Sequence, residues 1–245
     1  DKPLAPSQYY ARLTQRLIAA LSAPTAEGVL YEVDMRLRPS GNKGPVATHI
    51  ESFGKYQRNE AWTWEHMALT RARPIHGDTD FAAFIGSEID AVLALPRDVA
   101  KTAKDVREMR ALIEEEKPPR DGWDFKLKPG GIIDLEFIAQ FAVLAGRVKT
   151  KPRPLATEEV LAGLDPAFAD PALADSLVAA HRFYTNLSQT IRLCLGSDAK
   201  RADFIPGMID LLCNAAEMPD IARVEHHLDE LAVEVRASFG KLVQA

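Results

Sequence analysis

The chain has 245 residues, 47% hydrophobic and 27% charged, with a formal net charge of -5 and a pI near 5.7. That balance sets aside wholesale disorder. The acidic excess argues against a general nucleic-acid binder, which carries a basic surplus. No apolar run approaches the roughly 20 residues needed to span a bilayer, and the polar opening Asp1–Ala11 does not read as a secretory leader. Cys194 and Cys213 cannot make a disulfide framework, and both fall in apolar helical stretches. The expectation is a soluble cytoplasmic protein with two buried free thiols. The chain opens at "DKPLAPSQYY" without Met, as a piece of a longer protein would.

In chain order, Tyr9–Leu21 reads as an amphipathic helix with Leu13, Leu17, Ile18 and Leu21 on one face, capped by Ser7 and ended by Ala23-Pro24. A strand is expected over Val29–Arg38. Its alternate residues split into an apolar set (Val29, Tyr31, Val33, Met35, Leu37) and a charged set (Glu32, Asp34, Arg36, Arg38). Pro39-Ser40-Gly41 closes it, and Gly41–Gly44 is read as a loop. Thr48 and Glu51 fit a capping box opening one long helix to about Arg73, stopped by Pro74. Phe53, Tyr56, Trp64, Met67 and Ala68 share one face of that helix, with Trp62 and Leu69 on another. Beyond Asp80 the pattern is helical throughout: about Phe81–Leu95, Asp98–Glu116, Ile132–Ala145, Glu158–Leu164, Pro171–Leu195, Pro206–Ala216 and Ile221–Leu242. "KTKPRP", Lys149–Pro154, reads as a connector. A short α/β beginning therefore gives way to an all-helical remainder.

Two stretches could carry chemistry. The charged face of Val29–Arg38 is either a solvated edge or the lining of a polar cleft. In a cleft, Asp34 would offer hard oxygen ligands to a divalent cation, and the arginines would neutralise phosphates. The second stretch is "DGWDFKLKPGGIIDLEFIAQ", Asp121–Gln140. Gly130 and Gly131 before a helix start could present backbone amides to an anion. Equally, they could form a tight turn into a helix whose acids, Asp134 and Glu136, complement its dipole. No Gly-Lys-Ser/Thr follows, so this is not a Walker loop. The six histidines show no metal-ligand spacing.

Longer strings add a resemblance. "YEVDMRLRPSGNKGPVATHIESFGKYQRNEAWTWEHMALTRARPIHGD" and "WDFKLKPGGIIDLEFIAQ" resemble, in order and separation, the adenylyltransferase/adenylyl-removing enzymes of glutamine synthetase. The wording "YEVDxRLRPSG" and "NEAWTWEHxALTRAR" is similar to the carboxy-terminal, adenylylating half. The resemblance implies a mainly α protein: a partial polymerase-β-like nucleotidyltransferase core (α/β) with its bridging helix over residues 1–78, then an all-helical bundle over 79–245. It implies transfer of AMP from ATP, with Mg²⁺ or Mn²⁺, to a tyrosine of glutamine synthetase, the latter and a PII signalling protein being the partners, without nucleic acid or membrane. Asp34 matches the third of three metal-directed carboxylates in such cores, and Arg36 and Arg38 match the arginines after it. Lys126, Lys128, Gly130, Gly131, Asp134 and Glu136 match the hallmark of the helical domain and are expected to close over the cleft.

The sequence also departs from the family. The pattern opens with Gly-Ser and then Asp-x-Asp. Here neither Gly86-Ser87 nor Gly196-Ser197 leads into Asp-x-Asp. Two of the three carboxylates are therefore missing from the sequence, and the resemblance implies a chain that is inactive alone. The other readings are the deadenylylating half of such an enzyme, acting by phosphorolysis, or a helical module that docks glutamine synthetase or PII.

Overall fold

The computed structural model describes residues 3–149, 156–196 and 198–244. The protein is mainly helical, with ten α-helices and one two-stranded hairpin among the described residues. It divides into two compact units, Asp1–Leu69 with Pro74–Leu93, and Thr70–Arg73 with Ala94–Ala245. Among the described residues, no helix is long and apolar enough to cross a membrane.

The first unit opens with α1 (Pro6–Ser22). Pro6 sits at the first helical position, where its missing N–H costs nothing. Ala5 is the N-cap and makes no side-chain bond, so Ser7 lies inside the helix rather than capping it. Ala23 leaves the helix in extended conformation, as a residue before proline must. A short hairpin follows, β1 (Pro24–Thr25) with β2 (Gly28–Val29), paired Pro24 to Val29 and Thr25 to Gly28. The amide of Tyr31 bonds back to Leu21 O at 3.0 Å and ties the next segment to α1.

The strand expected over Val29–Arg38 does not form beyond Val29. No described strand lies alongside to complete a ladder, and local bonds take over. Asp34 Oδ1 accepts the Arg36 amide at 2.9 Å, an Asx turn that bends the chain. The alternation survives only between Glu32 and Arg36, where Val33 and Met35 are half-buried and their neighbours exposed.

The single long helix is also two. In α2 (Ile50–Asn59) the N-cap is His49, whose Nδ1 accepts the Glu51 amide, so the Thr48–Glu51 capping box is not made. The helix ends at Glu60, and α3 (Thr63–Leu69) begins after a break. Glu65 accounts for the restart. Its Oε2 accepts the Trp62 amide and its Oε1 the Tyr56 hydroxyl, both at 2.9 Å, the side-chain half of a capping box. Buried Met67 and Leu69 of α3, with Ile89, Val92 and Leu93 of α4 (Thr79–Leu93), form a small apolar core. An Arg58–Glu88 ion pair at 2.8 Å joins α2 to α4.

In the second unit the expected helices form within two residues of their bounds: α5 (Val99–Glu116), α6 (Ile132–Leu144), α7 (Thr157–Ala162), α8 (Pro171–Leu195), α9 (Pro206–Ala215) and α10 (Ile221–Leu242). Asp98, Asp170 and Asp220 cap α5, α8 and α10 through their carboxylates. α6 is apolar nearly all round, which suits the element packed by α5, α7, α8 and α10. Leu135, Ile138, Phe141, Leu161, Tyr184, Leu187, Leu212 and Val224 are all but sealed from water. Cys213 is buried, but Cys194 is exposed near the end of α8, and both are free thiols. Thr150–Pro154 of the expected connector lie outside the described residues.

Candidate functional site

Asp34, Arg36 and Arg38 lie together in the irregular segment after β2. Arg36 folds back on Asp34 as a fork: Nε lies 3.0 Å from both carboxylate oxygens and Nη2 lies 2.7 Å from Oδ2. The Arg36 guanidinium holds the Asp34 carboxyl down at about 2, and Asp34 in turn raises the guanidinium. Both side chains are more than half exposed. This is an open, fully charged pair in which the two groups satisfy each other.

Arg38 is used differently. Its guanidinium donates to Met35 O at 2.6 Å, Gly44 O at 3.0 Å and Asn42 O at 3.1 Å. It therefore clamps the Pro39–Gly44 turn, in which Ser40 and Gly41 adopt left-handed backbone. That turn leaves no room at Gly44, where a Cβ would lie 1.8 Å from Pro39 O.

In the second unit, Lys126, Lys128, Gly130 and Gly131 form one tight turn leading into α6. Gly130 has φ +76, and its amide donates to Asp134 Oδ2 at 2.7 Å. The Gly131 amide bonds to Lys128 O at 2.9 Å. Both amides thus serve the turn itself. Lys126 is exposed, whereas Lys128 is buried and lies 4.0 Å from Asp229. Burial lowers the Lys128 ammonium, and Asp229 pulls it partly back.

Asp134 is the anchor of the turn. It is completely buried and accepts from Arg110 Nε and from Arg236 Nη1 at 3.1 Å, as well as from Gly130. Arg236 also reaches Glu114 at 2.8 Å. The Tyr184 hydroxyl donates to Gly130 O at 3.1 Å, and desolvation pushes that phenol well above its usual range. Sequence reasoning named Asp134 as a first-turn acid and as part of the helical-domain hallmark, and missed Arg110, Arg236 and Tyr184. A signal existed for Arg110. Ala103, Val106 and Arg110 fall on one face of α5, so the helical period carries that arginine inward.

The residues present do not fit a complete metal site. Among the described residues no three His, Cys, Asp or Glu side chains gather where they could hold an ion. Asp34 is a single carboxylate whose two oxygens face Arg36, and a divalent cation at a phosphoryl site needs more.

Residues 1–86 match the model of the glutamate-ammonia ligase adenylyltransferase family. Over 243 residues, 99% of this chain, the sequence is 76% identical to the bifunctional glutamine synthetase adenylyltransferase/adenylyl-removing enzyme of Brucella suis biovar 1 (strain 1330). It is 58% identical over 245 residues to the enzyme of the same description from Mesorhizobium japonicum, and 51% identical over 247 residues to that of Rhizobium meliloti. The chain spans about a quarter of the length of each, 25% in every case. An alignment this close over essentially the whole chain places it by descent: it belongs to the glutamate-ammonia ligase adenylyltransferase family.

Proposed function

We propose that the chain is part of an enzyme that transfers AMP from ATP to a tyrosine of glutamine synthetase, and that it belongs to the adenylylating half. The observation that supports the enzyme reading is the 76% identity, across 99% of the chain, to a relative whose description names glutamine synthetase adenylyltransferase among its two activities; the choice of half rests on the wording of the two strings quoted above. In this reading residues 1–78 form part of a nucleotidyltransferase core and 79–245 a helical domain. Asp34 is the catalytic and metal-directed acid, Arg36 neutralises phosphate charge, and Arg38 shapes the turn beside them. Lys126 and Lys128 supply cationic charge in the helical domain, on a turn that Gly130 and Gly131 make possible. Mg²⁺ or Mn²⁺, a PII protein as regulatory partner and a cytoplasmic setting complete the proposal.

Because Asp34 is one carboxylate where a metal site needs several, we also propose that these 245 residues do not transfer AMP unaided. The test is two assays with labelled ATP and glutamine synthetase. The purified chain should transfer no label, and measurable transfer would overturn that part. In the intact parent enzyme, Asp34→Asn should abolish AMP addition and spare AMP removal. The relatives' description names both activities, so loss of removal alone would assign the chain to the other half.

A further inference from the structure

The second unit contains a cleft of about 490 Å³, and of its lining residues only Lys126 enters the reading above. Its walls are the Arg120–Leu127 segment, the start of α6, and the last turns of α8 with Gly196, Asp198 and Ala199 beyond them. The volume lies in the range of small-molecule sites. Trp123, Phe125, Ile132 and Ile191 give it an apolar lining, with the Trp123 and Phe125 rings 5.5 Å apart.

The charges in the cleft are unevenly matched. Of its acids, Asp124 is held by Arg120 at 3.2 Å and by the Leu127 amide, and Glu136 is held by Arg71 at 2.7 Å. Asp198 stands almost fully exposed, 3.4 Å from Arg120. Of its cations, Lys126 and Arg192 have no ion-pair partner among the described residues and line the same cavity, with Ser188 one turn from Arg192. Two unmatched cations beside an apolar surface suit a dianion carrying an organic group. A phosphate monoester has a charge of about −1.5 to −2 near neutral pH, which arginine and lysine bind in complementary ways.

We infer that this cleft binds a small phosphate monoester, with Lys126 and Arg192 on the phosphate and the apolar lining on the organic part. The cleft is built from residues of the second unit alone and needs no metal. Its test uses the 245-residue chain in metal-free buffer without glutamine synthetase, so its failure leaves the AMP-transfer reading untouched.

Calorimetric titration with AMP, ribose 5-phosphate, adenosine and succinate distinguishes the sources. AMP should bind at one site and adenosine at least ten-fold more weakly. The double variant Lys126→Gln/Arg192→Gln should lose at least ten-fold in affinity for AMP, and both positions are exposed, so the fold should survive. Equal binding of ribose 5-phosphate supports recognition through the phosphate and sugar, and tighter AMP binding supports a contact to the base. No binding at millimolar AMP, an unchanged double variant, or succinate binding as well as AMP would each overturn the inference.

Discussion

The buried carboxylate of Asp134 accepts the backbone amide of Gly130 at 2.7 Å, four residues upstream. A hydrogen bond this short fixes how the Lys126–Gly131 turn enters α6, and two arginines from α5 and α10 hold the acid that makes it.

Removing that acid should therefore be severe. Asp134→Ala leaves Arg110 buried without its main counter-charge, and breaking a buried pair in this way costs about 3–5 kcal/mol. Urea unfolding of the variant is expected to show a loss of that size in the unfolding free energy, seen as a lower midpoint. A shift within the scatter of surface substitutions would mean that the cluster is not a keystone.

Gly130 itself should tolerate no side chain. A Cβ there would lie 1.8 Å from Ala232 O, and φ is +76. Gly130→Ala is expected to destabilise by about 2 kcal/mol or more through backbone strain alone, with the clash added. Gly122→Ala, in the same segment but with nothing within 4 Å, should be nearly neutral. Paired thermal melts would compare the two.

Glu65 should hold the α2–α3 break. It is buried and bonds both Trp62 and Tyr56. Glu65→Ala takes the acceptor from the Trp62 amide and from the half-buried Tyr56 hydroxyl, a loss of about 1–3 kcal/mol. Circular dichroism melts would give the stability change. Because Trp62 is exposed beside the break, its fluorescence should move as well.

Asp34 and Arg36 predict a pH signature. The folded carboxyl sits at about 2, below its unfolded value. Its contribution to stability is then complete above the ordinary carboxylate range and disappears as the pH falls toward 2. The pair is exposed, so that contribution is small, but the titration is direct. Carbon-13 NMR should place the Asp34 midpoint near 2 and raise it toward the usual range in Arg36→Gln, the retained amide of residue 36 holding it partly down. An unchanged midpoint in the variant would show that Arg36 is not the cause.

The helices of the second unit were legible because their signals are local. Asp98, Asp170 and Asp220 cap amides three residues away, and the apolar spacing of α5 to α10 marks each buried face. The first unit was less legible. The alternation at Val29–Arg38 is a real sequence pattern, but a strand needs a partner ladder and none lies beside it among the described residues. Likewise "NEAWTWEH" reads as continuous helix until the Glu65 carboxylate takes up the Trp62 amide.

By itself, the sequence determined the helical class and the positions of most helices, and it singled out the stretches around Asp34 and Lys126 as candidates. Local propensity, capping and wording suffice for those. Only the tertiary structure decided that Arg36 pairs with Asp34 while Arg38 clamps a turn, and that Asp134 gathers Arg110 and Arg236 from helices 24 and 102 residues away. It also decided that Lys126 and Arg192 share one cleft. Those outcomes depend on which groups the packed helices bring within a few ångströms of each other, and no local pattern encodes that.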